Sequence, residues 1–358
     1  KDANDVLRKY GREELIRVIE GAEKMPVQGI ITINQLRDDV RTLYAAGPDQ
    51  GLSAGWANLD KIARVAKGRV IVITGVPESG KSRFLMNWLI QLAKHHSTRT
   101  SIFTPESRPY ANFVRVMSQI VTGKPFGYPG DKYRMTNEEL EQALDWLDKH
   151  FTFNTPKTRT LKELTDTWKA QLMADGTRYG VLDPFNYIIR PENKNEGSFV
   201  LDSLTYLSDW AVTNQFTVFV VVHPTKVPIS EKTGEYPVIT PYQIYGSSHW
   251  FNATDGMLSI WRSLQEPHEP VHVFTLKQKQ EETGTSGKSV RFYYDKETGI
   301  YVPESQFVYG GSTKNPFRNE RIDTGAGDEY IDDGMTVDAL ADDVSDAIAQ
   351  PRSWQVGA

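Results

Sequence analysis

The segment Gly75-Val76-Pro77-Glu78-Ser79-Gly80-Lys81-Ser82 fits the pattern GxxxxGK[ST] in full, and it constrains this chain more than any other feature. A β-branched run at 70–74 precedes it, and an apolar stretch with Phe84, Leu85, Trp88 and Leu89 follows. Strand, glycine-rich loop and helix in that order aim backbone N–H groups and a helix N-terminus at one anion. Read this way, Gly75, Pro77, Glu78, Ser79, Gly80, Lys81, Ser82 and Arg83 line a nucleotide site. Lys81 would neutralise the β and γ phosphates, and the Ser82 hydroxyl would ligate Mg²⁺.

From residue 69 onward, short β-rich runs alternate with longer helical stretches, which is the signature of a mostly parallel sheet flanked by helices. The predicted strands are 70–74, 100–104, 179–183, 217–222 and 256–261, followed by 271–276 and 290–294. Helices are predicted over 81–94, 112–122, 137–150, 161–174 and 199–213. The polar segment 277–289 reads as a loop, so the last two strands form a C-terminal β-hairpin appended to the sheet. Upstream, 13–22 and 33–46 space their apolar residues three and four apart, as amphipathic helices do, until Gly47 and Pro48 break the pattern. No internal repeat of solenoid or propeller length occurs.

A phosphate loop needs a second acid to hold magnesium, and Asp183 closes the apolar run Tyr179-Gly180-Val181-Leu182. Hydrolysis also needs a carboxylate to polarise water. Glu106 ends the second predicted strand, where a parallel sheet would place it beside the γ-phosphate. The run Val218–Val222 ends in His223, a polar group at the same edge; taken alone, a strand-end histidine or acid is an ordinary structural residue.

Composition removes several other classes. With no cysteine among 358 residues, disulfide scaffolds, cysteine nucleophiles and thiolate zinc sites are excluded, leaving oxygen and nitrogen ligands for any metal. No run approaches the ~20 apolar residues of a membrane span, so no membrane partner is expected. The net charge of −5 misleads as a guide to nucleic acid, because residues 311–358 hold ten acids against four bases. The body is close to neutral and neither supports nor excludes a DNA partner.

Taken together, Lys81, Glu106, Asp183 and His223 resemble the RecA-like ring helicases of the DnaB superfamily, particularly those of Twinkle and phage primase-helicase type. The resemblance spans about Asp2 to Pro303. It implies a RecA-like P-loop NTPase core, an α/β fold, over 51–310. Residues 1–50 would be a helical linker following a Toprim-like primase domain, since Lys1-Asp2-Ala3-Asn4-Asp5-Val6-Leu7 resembles the end of such a domain. Residues 311–358 would be an acidic, disordered tail, and 337–348 could make a weak helix. The helices within 6–46 would dock on a neighbouring subunit; a helical cap on the same subunit fits the sequence equally well.

Residue by residue, the resemblance makes Glu106 the catalytic base, Asp183 the magnesium acid and His223 the phosphate sensor. Tyr294, in Tyr294-Asp295-Lys296-Glu297-Thr298-Gly299, would pack on the adenine, with Arg262 nearby. Gly246, Ser247 and Ser248, followed by Asp255, are similar to the family's Gly-Ser and Asp motif, and Asn252 stands where Gln is usual. The family's trans-acting Lys-x-Arg pair reads Lys277-Gln278-Lys279 here. Either Lys279 or Lys277 serves as a lysine finger, or trans-activation is weak, because lysine lacks the guanidinium fork. DNA contacts would come from Lys226 and Lys232 in the loop after the sensor, from Arg190 and Lys194, and from Gly246, Ser247 and Asn252. Taken singly, each such cation reads as a surface residue.

The expected activity is ATP-driven (or dNTP-driven), Mg²⁺-dependent translocation on single-stranded DNA by a hexameric ring, with duplex unwinding at a replication fork. The expected compartment is the cytoplasm, a host's if a phage encodes the chain, ahead of the mitochondrial matrix. The acidic tail, with Tyr330, Ile331 and Trp354 among its acids, would recruit a DNA polymerase or another replisome protein, or serve only solubility. A RecA- or RadA-type recombinase and a nucleotide-holding scaffold or loader without motor activity are the alternatives.

Overall fold

The computed structural model describes residues 2–21, 29–106, 108–244, 247–266 and 269–306. The chain separates into two compact units, the first ending at Pro48 and the second beginning at Asp49. The expectations for Gly246 and for the tail beyond residue 310 lie outside the described residues.

The first unit holds helices α1 (Ala3–Glu20) and α2 (Arg37–Ala46). α1 starts ten residues before the predicted 13–22, because the Asp2 carboxylate caps it by accepting from the Asp5 N–H at 2.9 Å. Gly11, at φ 84°, breaks α1 into two runs. α2 starts later than residue 33 because Thr32–Leu36 closes a turn, in which the Gln35 side chain accepts from Thr32 N–H at 2.8 Å. Leu7, Ile16, Val18, Val40, Leu43 and Tyr44 are all exposed on these helices.

The second unit runs β1 (Val70–Thr74), α3 (Lys81–His96), β2 (Thr100–Phe103), α4 (Arg115–Thr122), α5 (Asn137–His150), β3 (Phe151–Phe153), α6 (Leu161–Asp175), β4 (Tyr179–Leu182), α7 (Glu196–Asn214) and β5 (Thr217–Val221). It continues through α8 (Ser247–Asn252), β6 (Gly256–Trp261), β7 (Val271–Gln278), β8 (Lys288–Tyr294) and β9 (Tyr301–Pro303). Among the described residues these strands form one sheet in the order β3-β2-β4-β5-β1-β6-β7-β8-β9. The first six are parallel and the last three antiparallel.

Both faces of the parallel half are covered, which is why its strands read as unbroken apolar runs. Alternate residues serve opposite cores: Ile71, Ile73, Phe219 and Val221 face the side packed by Phe84, Trp88 and Phe292. Val70, Val72, Val218 and Val220 face the side packed by Trp168, Leu204, Phe216 and Trp250. Among the described residues, no helix is long and apolar enough to cross a membrane.

Several boundaries differ from expectation. β3 and β9 were not anticipated, since three residues are too few to show a period of two. β9 turns the expected hairpin into a three-stranded antiparallel meander. The predicted helix at 112–122 begins as a wider π turn over Pro109–Val114. α7 starts at Glu196 rather than 199 because the Asn195 side chain accepts from Ser198 N–H at 2.8 Å and caps it.

Candidate active site

In a parallel sheet every strand delivers its following loop to the same edge, and here that edge gathers the chemistry. Hydrogen bonds between strand ends set the spacing. Asp183 N–H donates to Phe103 O at 2.9 Å, which brings the end of β4 beside the end of β2 and so beside Glu106. Val222 N–H donates to Ile73 O at 3.0 Å and the Thr74 hydroxyl to Val222 O at 3.3 Å, which sets His223 beside the loop after β1.

That loop needs its glycines. Gly75 has φ 149°, and a Cβ there would stand 2.3 Å from Ile260 O and 2.6 Å from Ser79 Oγ. Gly80 has φ 95°, and its Cβ would meet the Tyr301 hydroxyl at 2.6 Å. Lys81, 6% exposed, folds back over the loop and donates to Gly75 O at 2.8 Å and Val76 O at 2.7 Å. Burial pushes its ammonium down to about 8, while the Asp183 and Glu106 carboxylates hold it up. Pro77 and Glu78 lie exposed at the loop tip, whereas Ser79 is fully buried and its hydroxyl has no partner.

Asp183 accepts from the Ser82 hydroxyl, and burial pushes its carboxyl up to about 6 against the pull of Ser82 and Lys81. His223 Nε2 stands 4.0 Å from Glu106 Oε2, with Glu106 the more exposed of the two. Burial, then the Lys81 charge, lowers the imidazole, while Glu106 raises it. Lys81, Ser82, Asp183, Glu106 and His223 thus share one edge.

A phosphate chain and Mg²⁺ fit these residues. The unpartnered Ser79 hydroxyl and the two glycines form a cradle that a Cβ would fill. Ser82 and Asp183 are hard oxygen donors in contact, and among the described residues no cluster of three or more His, Asp or Glu offers an all-protein metal cage. That is the donor set of Mg²⁺ held partly by substrate phosphates and water.

On the flank of the loop, Arg83 Nη1 donates to the Tyr294 hydroxyl at 3.1 Å, and Tyr294 and Tyr301 have ring centroids 4.9 Å apart. Arg262 is half-buried, and its Nε has no partner. Two contributors went unnoticed in the sequence, Asn87 and Tyr301. Asn87 is the single polar residue in Phe84-Leu85-Met86-Asn87-Trp88-Leu89-Ile90, a signal that was available.

The remaining candidates lie elsewhere. Lys277 lies near the end of β7 and Lys279 just past it, and β7 runs antiparallel to β6, so both sit at the opposite edge of the sheet from the loop. Lys277 Nζ donates to Phe251 O and, at 3.3 Å, to Asn252 O. Lys279 is exposed and stands 3.5 Å from the buried Asp255 carboxylate. Asp255 also accepts from Val70 N–H at 3.0 Å, tying β6 to β1. Arg190 pairs with Glu196 at 3.4 Å and Lys194 with Asp202 at 2.6 Å, whereas Lys226 and Lys232 are exposed. A cavity of about 520 Å³ separates the two loops, lined by Arg190 and Glu196 on one side and by His223 and Thr225 on the other. Ser247 opens α8 and Asn252 closes it.

Sheet order, phosphate loop and strand-end acids define a RecA-like P-loop core. The comparisons agree: no family model matches the chain, but it is 26% identical over 313 residues to the Twinkle homolog protein, chloroplastic/mitochondrial, of Arabidopsis thaliana, covering 84% of this chain. The chain spans 43% of that relative's length. Among solved structures, one determined as an isolated ATPase domain superposes with a TM-score of 0.64 at 13% identity, over 77% of this chain and 99% of that one. A DnaB-like replicative helicase, solved for its interactions with primase, gives 0.62 at 14% identity, over 84% and 73%. The resemblance to DnaB- and Twinkle-type replicative helicases drawn from the motifs therefore holds in sequence and in fold.

Proposed function

We propose that this chain is the motor part of an ATP-driven replicative DNA helicase that assembles as a ring, moves on single-stranded DNA and unwinds duplex at a fork. The observation carrying this reading is the convergence of Lys81, Asp183, Glu106 and His223 on one edge, with His223 4.0 Å from Glu106. Lys81 binds the phosphates, and Ser82 and Asp183 would hold Mg²⁺, which would supply charge neutralisation at the phosphates. Glu106, exposed and beside the imidazole, accepts a proton from the attacking water. His223 lies on the wall of the 520 Å³ cavity that also touches Arg190 and Thr225, so a change at the phosphate edge has a short route to the loops carrying Lys226 and Lys232.

Lys279 reaches from the far edge toward the site of the next subunit, with Asp255 beside its ammonium. The exposed apolar residues of α1 and α2 supply the surface by which subunits dock. In a ring, few cations per subunit suffice, because each repeat multiplies the phosphate contacts. Tyr294 and Arg262 take the base.

The test is steady-state ATP hydrolysis with and without single-stranded DNA, together with unwinding of a forked duplex. Stimulated turnover with strand separation supports the motor. ATP binding with hydrolysis unmoved by DNA leaves a nucleotide-held scaffold, and DNA-stimulated hydrolysis with helical polymers but no unwinding leaves a recombinase.

A further inference from the structure

Asn87 of α3 is fully buried in an apolar helix face, yet both N–H donors of its amide and its carbonyl oxygen are hydrogen-bonded. Its Nδ2 donates to Arg83 O at 3.0 Å and to Gly299 O at 2.8 Å, while its Oδ1 accepts from Tyr301 N–H at 3.1 Å. The last two partners lie more than two hundred residues away in sequence, in the turn joining β8 to β9 and at the first residue of β9. That turn is stiff in itself: the Asp295 carboxylate accepts from Glu297 N–H at 2.9 Å and from the Thr298 hydroxyl at 2.6 Å, and Gly299 N–H donates to Asp295 O at 2.7 Å. A second side-chain amide, Gln119 of α4, donates to Glu297 O at 2.5 Å.

One end of this turn carries Tyr294, proposed above to take the base, and the other leads to the buried Tyr301, whose ring packs against it. Tyr294 takes a hydrogen bond from Arg83, one helical turn before Asn87, and the Tyr301 hydroxyl donates to Gly80 O at 3.4 Å inside the phosphate loop. Residues 294–301 are therefore fastened to the loop and its helix at both ends and in the middle. Among the described hydrogen bonds and ion pairs, none joins Asn87 to Lys81, Asp183 or Glu106.

We propose that Asn87 is a positioning residue that locks the base-contacting turn to the phosphate-loop helix, so that the nucleoside half of a nucleoside triphosphate is read in fixed register with its phosphates. The inference rests on the nucleotide-binding reading above. Without the amide, Gly299 O and Tyr301 N–H would be left buried and unpaired, and the turn would be free to lift Tyr294 away from Arg83. The phosphate cradle of Gly75, Ser79 and Lys81 would stay intact.

Asn87→Asp keeps the size and the acceptor for Tyr301 N–H but sets an oxygen against two carbonyls. Calorimetric titration of the full chain with Mg·ATP and with Mg·tripolyphosphate separates the two halves of the ligand. Affinity for Mg·ATP is expected to fall roughly tenfold while that for Mg·tripolyphosphate changes by less than about twofold. A parallel fall in both, or no fall in either, overturns the proposal. If Asn87→Asp does not fold, Gln119→Met removes the second tie to the same turn and must show the same selective loss. A native chain that binds neither ligand defeats the nucleotide reading itself, whereas native binding without the selective loss defeats only the role of Asn87.

Discussion

His272 on β7 offers a quantitative check on how this sheet is packed. The residue is 5% exposed, its ring stacked on Phe274 with centroids 5.9 Å apart and edge-on to Trp261 at 5.3 Å. Its Nδ1 has no partner, and Arg291, paired with Glu304 at 2.8 Å, stands opposite it on β8. Burial first, and the guanidinium second, push the imidazole from 6.5 down to about 4. The folded chain thus keeps a neutral ring where the unfolded chain has already bound a proton. The contribution to stability is whole above pH 6.5 and is lost as pH falls toward 4, at about 1.4 kcal/mol per pH unit. From about pH 8 to about pH 4.5 the loss comes to roughly 2 to 3 kcal/mol, a large part of a total that is only about 5–15 kcal/mol. His272→Phe keeps an aromatic ring and removes the proton site. Urea unfolding of both chains across that range cancels the other titrating groups, and stability should move in favour of the variant by about 2 to 3 kcal/mol on acidification. A difference that stays constant with pH to within about 0.5 kcal/mol would refute the buried, unpartnered imidazole.

Three further outcomes are expected. Glu106→Gln should lower ATP hydrolysis by roughly 10²- to 10⁴-fold with Mg·ATP affinity kept, and a matching loss of affinity would deny the base role. Gly80→Ala should lower the urea midpoint through about 1–2 kcal/mol of backbone strain at φ 95° and through its 2.6 Å clash with the Tyr301 hydroxyl. Adding Tyr301→Phe should recover part of that loss, and a double variant no better than the single one would contradict the contact. Mixing Lys279→Ala subunits with Glu106→Gln subunits should restore hydrolysis at about one interface in four if a ring pairs them at random. No recovery over either variant alone would place the lysine in cis or make it irrelevant.

The phosphate loop, the parallel half of the sheet and its strand ends were legible because each rests on a local, strong pattern. A fully buried strand is an apolar run, and GxxxxGK[ST] needs no partner from elsewhere in the chain. What escaped depends on contacts distant in sequence. Tyr301 matters because its hydroxyl fills the space beside Gly80, and Asn87 because it meets Gly299 and Tyr301, pairings that no window of a dozen residues contains. The helix starts at Ala3 and Glu196 were missed for another reason, since side-chain caps at Asp2 and Asn195 outweighed the weaker apolar periodicity downstream.

The two edges of the sheet explain why the lysine pair would need a neighbouring copy to act on nucleotide. Lys81, Asp183, Glu106 and His223 stand at the carboxyl ends of parallel strands, whereas Lys277 and Lys279 stand beside the amino end of β6, where Gly256 pairs with Gln278. Six residues of β6 at about 3.3 Å each put roughly 20 Å of sheet between the two groups. A lysine side chain covers only about a third of that distance, so Lys279 cannot reach the phosphate edge of its own chain. Head-to-tail packing of copies, by contrast, would bring the lysine edge of one core to the phosphate edge of the next, and such contacts close into a ring when the rotation between copies permits. The hydrogen bonds of Lys277 to Phe251 O and Asn252 O already occupy its ammonium, which leaves the more exposed Lys279, held at its head by Asp255, as the group better placed to cross an interface.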